Sequence, residues 1–137
     1  MPELPEVETV RRGLADLLPG QAVVRATVFD SPKSFPNSPT DVQQFLYGTH
    51  VTAVRRRAKV LMIDLDTRYS LVIHLKMTGQ LIFRGANSFA GGHPNDSLIG
   101  ELPDRSTRVQ IDFTDGSRLF FNDQRKFGWM KLYPTAE

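Results

Sequence analysis

Apolar positions recur with two different periods along this chain. Between residues 3 and 18, Val7, Val10, Leu14, Leu17 and Leu18 lie three and four apart, which makes one apolar stripe and predicts a helix. Pro5 falls in its first turn, where a missing N–H is harmless; acidic residues crowd that turn, Arg11 and Arg12 come later, and Gly20 supplies a stop. Beyond Gly20 the texture becomes β-rich. Strands are predicted at 22–29, 51–57, 60–65, 70–76, 80–83, 108–113, 118–122 and 129–133, with a short helix at 40–47 closed by Gly48. The segments 70–76 and 80–83 are expected to pair through Met77-Thr78-Gly79. A second hairpin is expected across Thr114-Asp115-Gly116-Ser117, since Asp-Gly is a strong turn signal. The stretch 84–103, rich in Gly, Asn, Ser and Pro, reads as a long irregular loop, either functional or disordered. No internal repeat and no alternating βαβ pattern occurs. The expected fold is α+β, mainly β: about eight antiparallel strands in a sandwich or flattened barrel, with an N-terminal helix and one further short helix.

A length of 137 residues is that of one domain, and 40% hydrophobic with 23% charged residues is ordinary for a soluble one. No apolar run is long enough for a membrane span. Glu3, Glu6 and Glu8 stand where a signal peptide would carry positive charge, so no export signal is expected. The absence of cysteine excludes disulfides and thiolate metal sites within these residues and fits a reducing cytosol. A net charge of +2 hides a pI near 9.2, which weakly suggests a nucleic-acid partner.

Candidate chemistry begins at the second residue. Removal of Met1 ahead of the small Pro2 would expose a secondary amine whose reference pKa is roughly 7.7–8.0, leaving part of it unprotonated near neutrality. Such an amine can attack the sugar C1′ of a nucleoside and form an iminium ion, an electron sink of the lysine Schiff-base kind. Glu3 places a carboxyl group beside it. The basic run Arg55-Arg56-Arg57-Ala58-Lys59 is either a charged edge strand kept from aggregating or a lysine delivered to a phosphate or abasic sugar. Strand alternation would put Arg55, Arg57 and Lys59 on one face and Arg56 opposite. His74 is either a hydrogen-bonded structural residue or a ligand contact, whereas Met77 in a Gly-terminated turn would protrude. In Asp123-Gln124-Arg125-Lys126-Phe127-Gly128, Phe127 either folds into the core or forms an Arg-plus-aromatic wedge that occupies the space of a displaced base. P-loop, GxGxxG, HExxH and Gly-x-Ser-x-Gly motifs are absent, and the three histidines lack zinc-site spacing.

Taken in order, PELPEVETVRRGL, RRRAK, HLKMTGQL, TRV and NDQRKFG resemble the N-terminal domain of formamidopyrimidine-DNA glycosylases over the whole chain. Leu4 and the HLKMTG and RKFG segments favour this branch over the sister endonuclease VIII-type enzymes. The resemblance implies base-excision repair: removal of 8-oxoguanine and formamidopyrimidines from damaged double-stranded DNA, then strand cleavage at the abasic site. It makes Pro2 the nucleophile, Glu3 the proton donor and acceptor at the sugar, and Lys59 the proton donor in β-elimination, with Glu6 supporting the site. It makes His74 a phosphate contact, and Met77, Arg125 and Phe127 the group that fills the void left by the flipped nucleotide. Arg125 would also face the orphaned base, and Lys126 and Arg108 would contact the backbone. No cofactor is expected within these residues; the family's single zinc ion belongs to a C-terminal zinc finger. A monomeric, cytoplasmic, nucleoid-associated bacterial-type protein is implied, with no membrane partner.

Three departures stand out. Arg105-Ser106 replaces the family's usual Lys-His pair, which puts the DNA contact at Ser106 in doubt. The 84–103 loop is longer than usual. The helix-two-turns-helix and zinc-finger domains are not among these 137 residues. Two readings therefore stand: a catalytic domain, impaired in isolation, or a non-catalytic DNA-binding fragment of the same family. Either implies weak, salt-sensitive DNA binding, because affinity falls steeply as fewer phosphates are neutralised.

Overall fold

The computed structural model describes residues 3–135. Helix α1 (Leu4–Leu17) turns Val7, Val10 and Leu14 into the core, and Leu18 follows them at its C-terminal end. Its stripe forms as the periodicity requires, and Gly20 leaves the helix with a φ of 90°. Two antiparallel sheets then build a sandwich. One has the order β1 (Val23–Val28), β7 (Thr107–Phe113), β8 (Arg118–Asp123), β5 (Gly79–Arg84), β6 (Ser88–Gly92); the other runs β2 (Val51–Arg57), β3 (Val60–Leu65), β4 (Tyr69–His74), β9 (Trp129–Pro134). The short helix α2 (Pro39–Phe45) begins where the Ser38 hydroxyl accepts the Asp41 N–H at 3.2 Å. An Ala22–His50 bridge and the Val23 N–H to Thr49 carbonyl bond knit β1 to the start of β2, which flattens the sandwich toward a barrel on that side.

Inward positions alternate as strands demand. Leu61, Ile63 and Leu65, Leu71 and Ile73, Leu81 and Phe83, Val109, Ile111 and Phe113, and Leu119 and Phe121 form one core with the α1 stripe. Helix α1 closes the end of this core against β6 and β2. Its approach to β6 depends on Gly13, since a Cβ there would overlap the Phe89 ring.

Three expectations are corrected. First, the expected loop 84–103 contains a strand, β6, the ninth among the described residues, paired residue for residue with β5 from Gln80–Gly92 to Arg84–Ser88. Its Ser-Phe-Ala-Gly-Gly sequence has little strand propensity; the pairing and the helix packed on it make the strand. Second, the remainder of that segment is tethered to β5 by hydrogen bonds. Gln80 donates to the His93 carbonyl (2.6 Å) and to Asn95 Oδ1 (2.7 Å), and Arg84 donates to the Leu98 carbonyl (3.3 Å). These anchors draw the segment over the outer face of β5, where Ile82 is fully buried. Third, 70–76 and 80–83 do not form a hairpin. β4 pairs with β3 and β9 while β5 pairs with β6 and β8, so the intervening turn carries the chain from one sheet to the other. Leu75 is buried within this crossing, Lys76 adopts a φ of 53°, and the Gly79 N–H bonds the Leu75 carbonyl at 2.9 Å.

Candidate active site and nucleic-acid interface

Two clusters of side chains gather at the ends of these elements. The first surrounds the N-terminus of α1. Pro2 lies outside the described residues. Glu3 caps the helix with its carbonyl, which accepts the Glu6 and Val7 N–H groups at 3.0 Å each, and its side chain makes no capping bond. Among the first-turn amides Pro5 has none and that of Glu6 is taken, so the helix mouth offers an anion fewer free donors than a helix start without proline. The freed Glu3 carboxylate instead meets Lys59, Oε2 to Nζ 3.7 Å. Glu6 is exposed on the same turn.

Lys59 reaches that position because β2 and β3 are joined by a two-residue turn, Ala58-Lys59, with Ala58 at a φ of 50°. The turn breaks the expected alternation. Arg55 pairs with Asp64, Nε to Oδ2 2.5 Å, and this raises its guanidinium pKa. Arg56 points to α1, donating to Glu8 Oε1 (3.0 Å) and to the Ala58 carbonyl (3.0 Å). Glu8 also accepts from Arg11 and Arg12, and these guanidiniums, Arg11 foremost and then Arg56, hold its carboxyl far below the ordinary range. Glu8 thus ties the turn carrying Lys59 to the helix carrying Glu3. Sequence reasoning missed it, although its spacing to Arg11 and Arg12 was visible.

His74 ends β4. Its Nδ1 accepts the Lys76 N–H at 3.0 Å, so in the neutral ring Nε2 carries the proton and is a donor. Burial, and then the charges of Lys76 and Lys59, lower its pKa. The ring lies 5.9 Å from that of Trp129.

The second cluster stands on the crossing after His74 and on the β8–β9 turn. Met77 is 47% and Phe127 60% exposed, so Phe127 does not fold into the core. Arg125 lies between them: its Nη1 is 3.8 Å from Met77 Sδ and its Cζ is 5.4 Å from the Phe127 ring centroid. Lys126 is exposed with a φ of 60°. Two side chains outside the expected set, Asp123 and Thr78, hold this turn. Asp123, fully buried, accepts the Thr78 hydroxyl and the N–H groups of Arg125 (3.2 Å) and Gly128 (2.6 Å).

Ser106 and Arg108 flank this cluster. Both are buried; the Ser106 hydroxyl donates to Asp104 (2.6 Å) and Arg108 Nε donates to the Asp123 carbonyl (2.8 Å). Burial raises the Asp104 carboxyl, but hydrogen bonds from Ser106, Ser97 and Thr107 outweigh it and lower the pKa. Together with Ser97, Arg105 and Gln124 they line an open cleft of about 430 Å³. Among the described residues no group of three His, Asp or Glu side chains could hold a metal ion, and no helix is long and apolar enough to cross a membrane.

Residues 1–130 match the family model described as the formamidopyrimidine-DNA glycosylase N-terminal domain. A formamidopyrimidine-DNA glycosylase from Jannaschia sp. (strain CCS1) is 44% identical over 99% of this chain and 46% of its own length. One from Chloroflexus aurantiacus is 40% identical over 96% of this chain and 43% of its own length. The Lactococcus lactis Fpg protein in complex with DNA containing N7-benzyl-Fapy-dG superposes with a TM-score of 0.79 at 27% identity, covering 98% of this chain and 44% of that one. Its complex with DNA containing an abasic site gives 0.78 at 26%, with the same coverage. The chain therefore spans less than half the length of the relatives it matches.

Proposed function

Because the chain belongs to the formamidopyrimidine-DNA glycosylase family, matching its N-terminal domain over residues 1–130, we propose that it is the catalytic domain of a base-excision repair glycosylase with abasic-site lyase activity. Its substrate is an oxidised purine, 8-oxoguanine or a formamidopyrimidine, in duplex DNA. The observation that carries this reading is the Glu3–Lys59 contact of 3.7 Å, which sets the Lys59 ammonium against the carboxylate of Glu3, the residue that follows Pro2 in the sequence.

The damaged nucleotide leaves the stack, at a cost of a few kcal/mol. Met77, Arg125 and Phe127 fill the space it vacates and offset that cost. With Met1 removed, the Pro2 nitrogen attacks C1′. The N–C1′ bond forms as the C1′–base bond breaks, and the base departs with the electron pair and takes its proton from water. Glu3 takes the proton released by the amine and returns it to O4′ as C1′–O4′ breaks, which leaves a ring-opened iminium. That cation acidifies the C2′ hydrogens. A carboxylate or water takes one of them as a proton, the C–H pair becomes the C2′=C3′ double bond, and C3′–O breaks, so the 3′ phosphate leaves and the strand is cut. Lys59 supplies the proton of this elimination, ordinary general acid work. His74 donates Nε2–H to a phosphate, a contact its neutral ring can make.

A second reading has its own support: less than half of each relative's length is represented, so these residues would bind DNA through fewer phosphate contacts and act as a binding fragment. Borohydride treatment of the protein with a duplex containing 8-oxoguanine distinguishes the two. The catalytic reading expects a covalent protein–DNA adduct, weaker for Pro2→Gly and Glu3→Gln. No adduct from protein shown by mass spectrometry to lack Met1 favours the binding fragment.

A further inference from the structure

Asp123 has no part in the chemistry above, yet it is fully buried at the end of β8 and forms no ion pair among the described residues. A buried carboxylate without a counter-charge is costly unless hydrogen bonds satisfy it, and here each oxygen accepts. Oδ2 takes the Gly128 N–H at 2.6 Å; Oδ1 takes the Arg125 N–H at 3.2 Å and the Thr78 hydroxyl. The main chain of the same residue is also engaged, its carbonyl by Arg108 Nε (2.8 Å) and the Lys126 N–H (3.3 Å), its N–H by the Ser106 carbonyl (2.8 Å). The turn 124–128 is thus wrapped around one side chain, with donors on either side of Lys126 and Phe127. Gly128 permits the wrap, since a Cβ there would come to 2.9 Å from both Asp123 Oδ2 and the His74 carbonyl.

Thr78 gives the arrangement its meaning. It adjoins Met77 on the crossing between the sheets, and its Oγ1 also lies 3.3 Å from the Arg125 N–H. One carboxylate therefore joins the loop bearing Met77 to the loop bearing Arg125 and Phe127. We infer that Asp123, through Thr78, is the positioning residue that fixes the spacing of these two loops, so that their three exposed side chains enter the DNA as one unit. This rests on the reading of the trio as void-filling. A carboxylate is needed: an amide presents one acceptor oxygen, so in either orientation its NH₂ would face the N–H of Arg125 or of Gly128.

The test uses the 137-residue protein with Thr78→Val, Thr78→Ser and Asp123→Asn. In the free protein, Asp123→Asn should speed amide exchange of Arg125 or Gly128 by about tenfold or more, while amides of Ile73 and Leu81 keep their protection. Thr78→Val, close to isosteric, should abolish the NMR contacts between Met77 and Arg125, and Thr78→Ser should restore them. Unchanged contacts in folded Thr78→Val overturn the inference, even if Asp123→Asn fails to fold. A duplex with a tetrahydrofuran abasic analogue opposite 2-aminopurine then reports insertion. At saturation, Thr78→Val should give a fluorescence change well below the parent and Thr78→Ser the parental one; a parental signal from Thr78→Val overturns the proposed unit. Should the parent itself leave 2-aminopurine unchanged at saturation while its loops are coupled, the void-filling reading fails and the coupling stands.

Discussion

Phe127→Ala separates folding from recognition. The ring is 60% exposed, and the Arg125 guanidinium sits 5.4 Å from its centroid. An exposed cation–π contact contributes about 0.5–1 kcal/mol. In a chain of this size that moves the unfolding midpoint by no more than about 5 °C. The same truncation at Phe121, fully buried in the core, should cost about 3–5 kcal/mol. Against DNA the order reverses. Aromatic stacking on a base is worth about 1–3 kcal/mol, so Phe127→Ala should weaken binding to a duplex with an abasic analogue by roughly 5- to 150-fold. Thermal unfolding followed by circular dichroism gives the first quantity, and anisotropy titration at one fixed salt concentration gives the second. A midpoint that falls as far as that of Phe121→Ala would refute the structural argument. An affinity within about twofold of the parent would refute the wedge.

Three further outcomes are expected. His74 should titrate below its ordinary value of 6.5, because burial and the neighbouring lysines disfavour the imidazolium; heteronuclear NMR should find the neutral ring protonated at Nε2, and protonation at Nδ1 would remove the proposed phosphate donor. Glu8, its pKa depressed from 4.5 by the arginines, contributes stability that is fully present above that value and fades as the pH falls below it. Urea midpoints should therefore separate the parent from Glu8→Gln at about pH 7 and converge toward about pH 2, and a constant separation would contradict the assignment. Lys59→Ala should leave binding of intact duplex nearly unchanged while slowing strand cleavage by about 10²- to 10⁴-fold, the usual range for a missing general acid; a gel-based cleavage assay with parental rates would exclude that role.

Periodicity made much of this fold legible. The α1 stripe and the alternation in β2, β3, β7 and β8 are local patterns, and each formed within a residue or two of its expected bounds. Partner choice is not local. β4 and β5 read as two adjacent strands, and nothing in their residues says that the crossing at Leu75–Thr78 changes sheets. β6 was illegible for a different reason, since Ser88-Phe89-Ala90-Gly91-Gly92 becomes a strand through pairing with β5 and packing against α1. At the site, motif spacing named side chains but not their supports. Alternation along Arg55–Lys59 failed because the left-handed Ala58 swings Lys59 toward Glu3. In the sequence Glu8 stood only among the acids near the N-terminus, and Asp123 only at the start of a turn. Only three dimensions reveal the first gripping Arg56 and the second holding two loops.

The proposed chemistry rests on the amine of Pro2, and the point of covalent attachment tests it most directly. After borohydride reduction with duplex containing 8-oxoguanine or an abasic site, peptide mapping by mass spectrometry should place the deoxyribose remnant on the Pro2 nitrogen of chains lacking Met1. Attachment at Lys59, or an equal yield from protein whose N-terminus is blocked, would contradict the account.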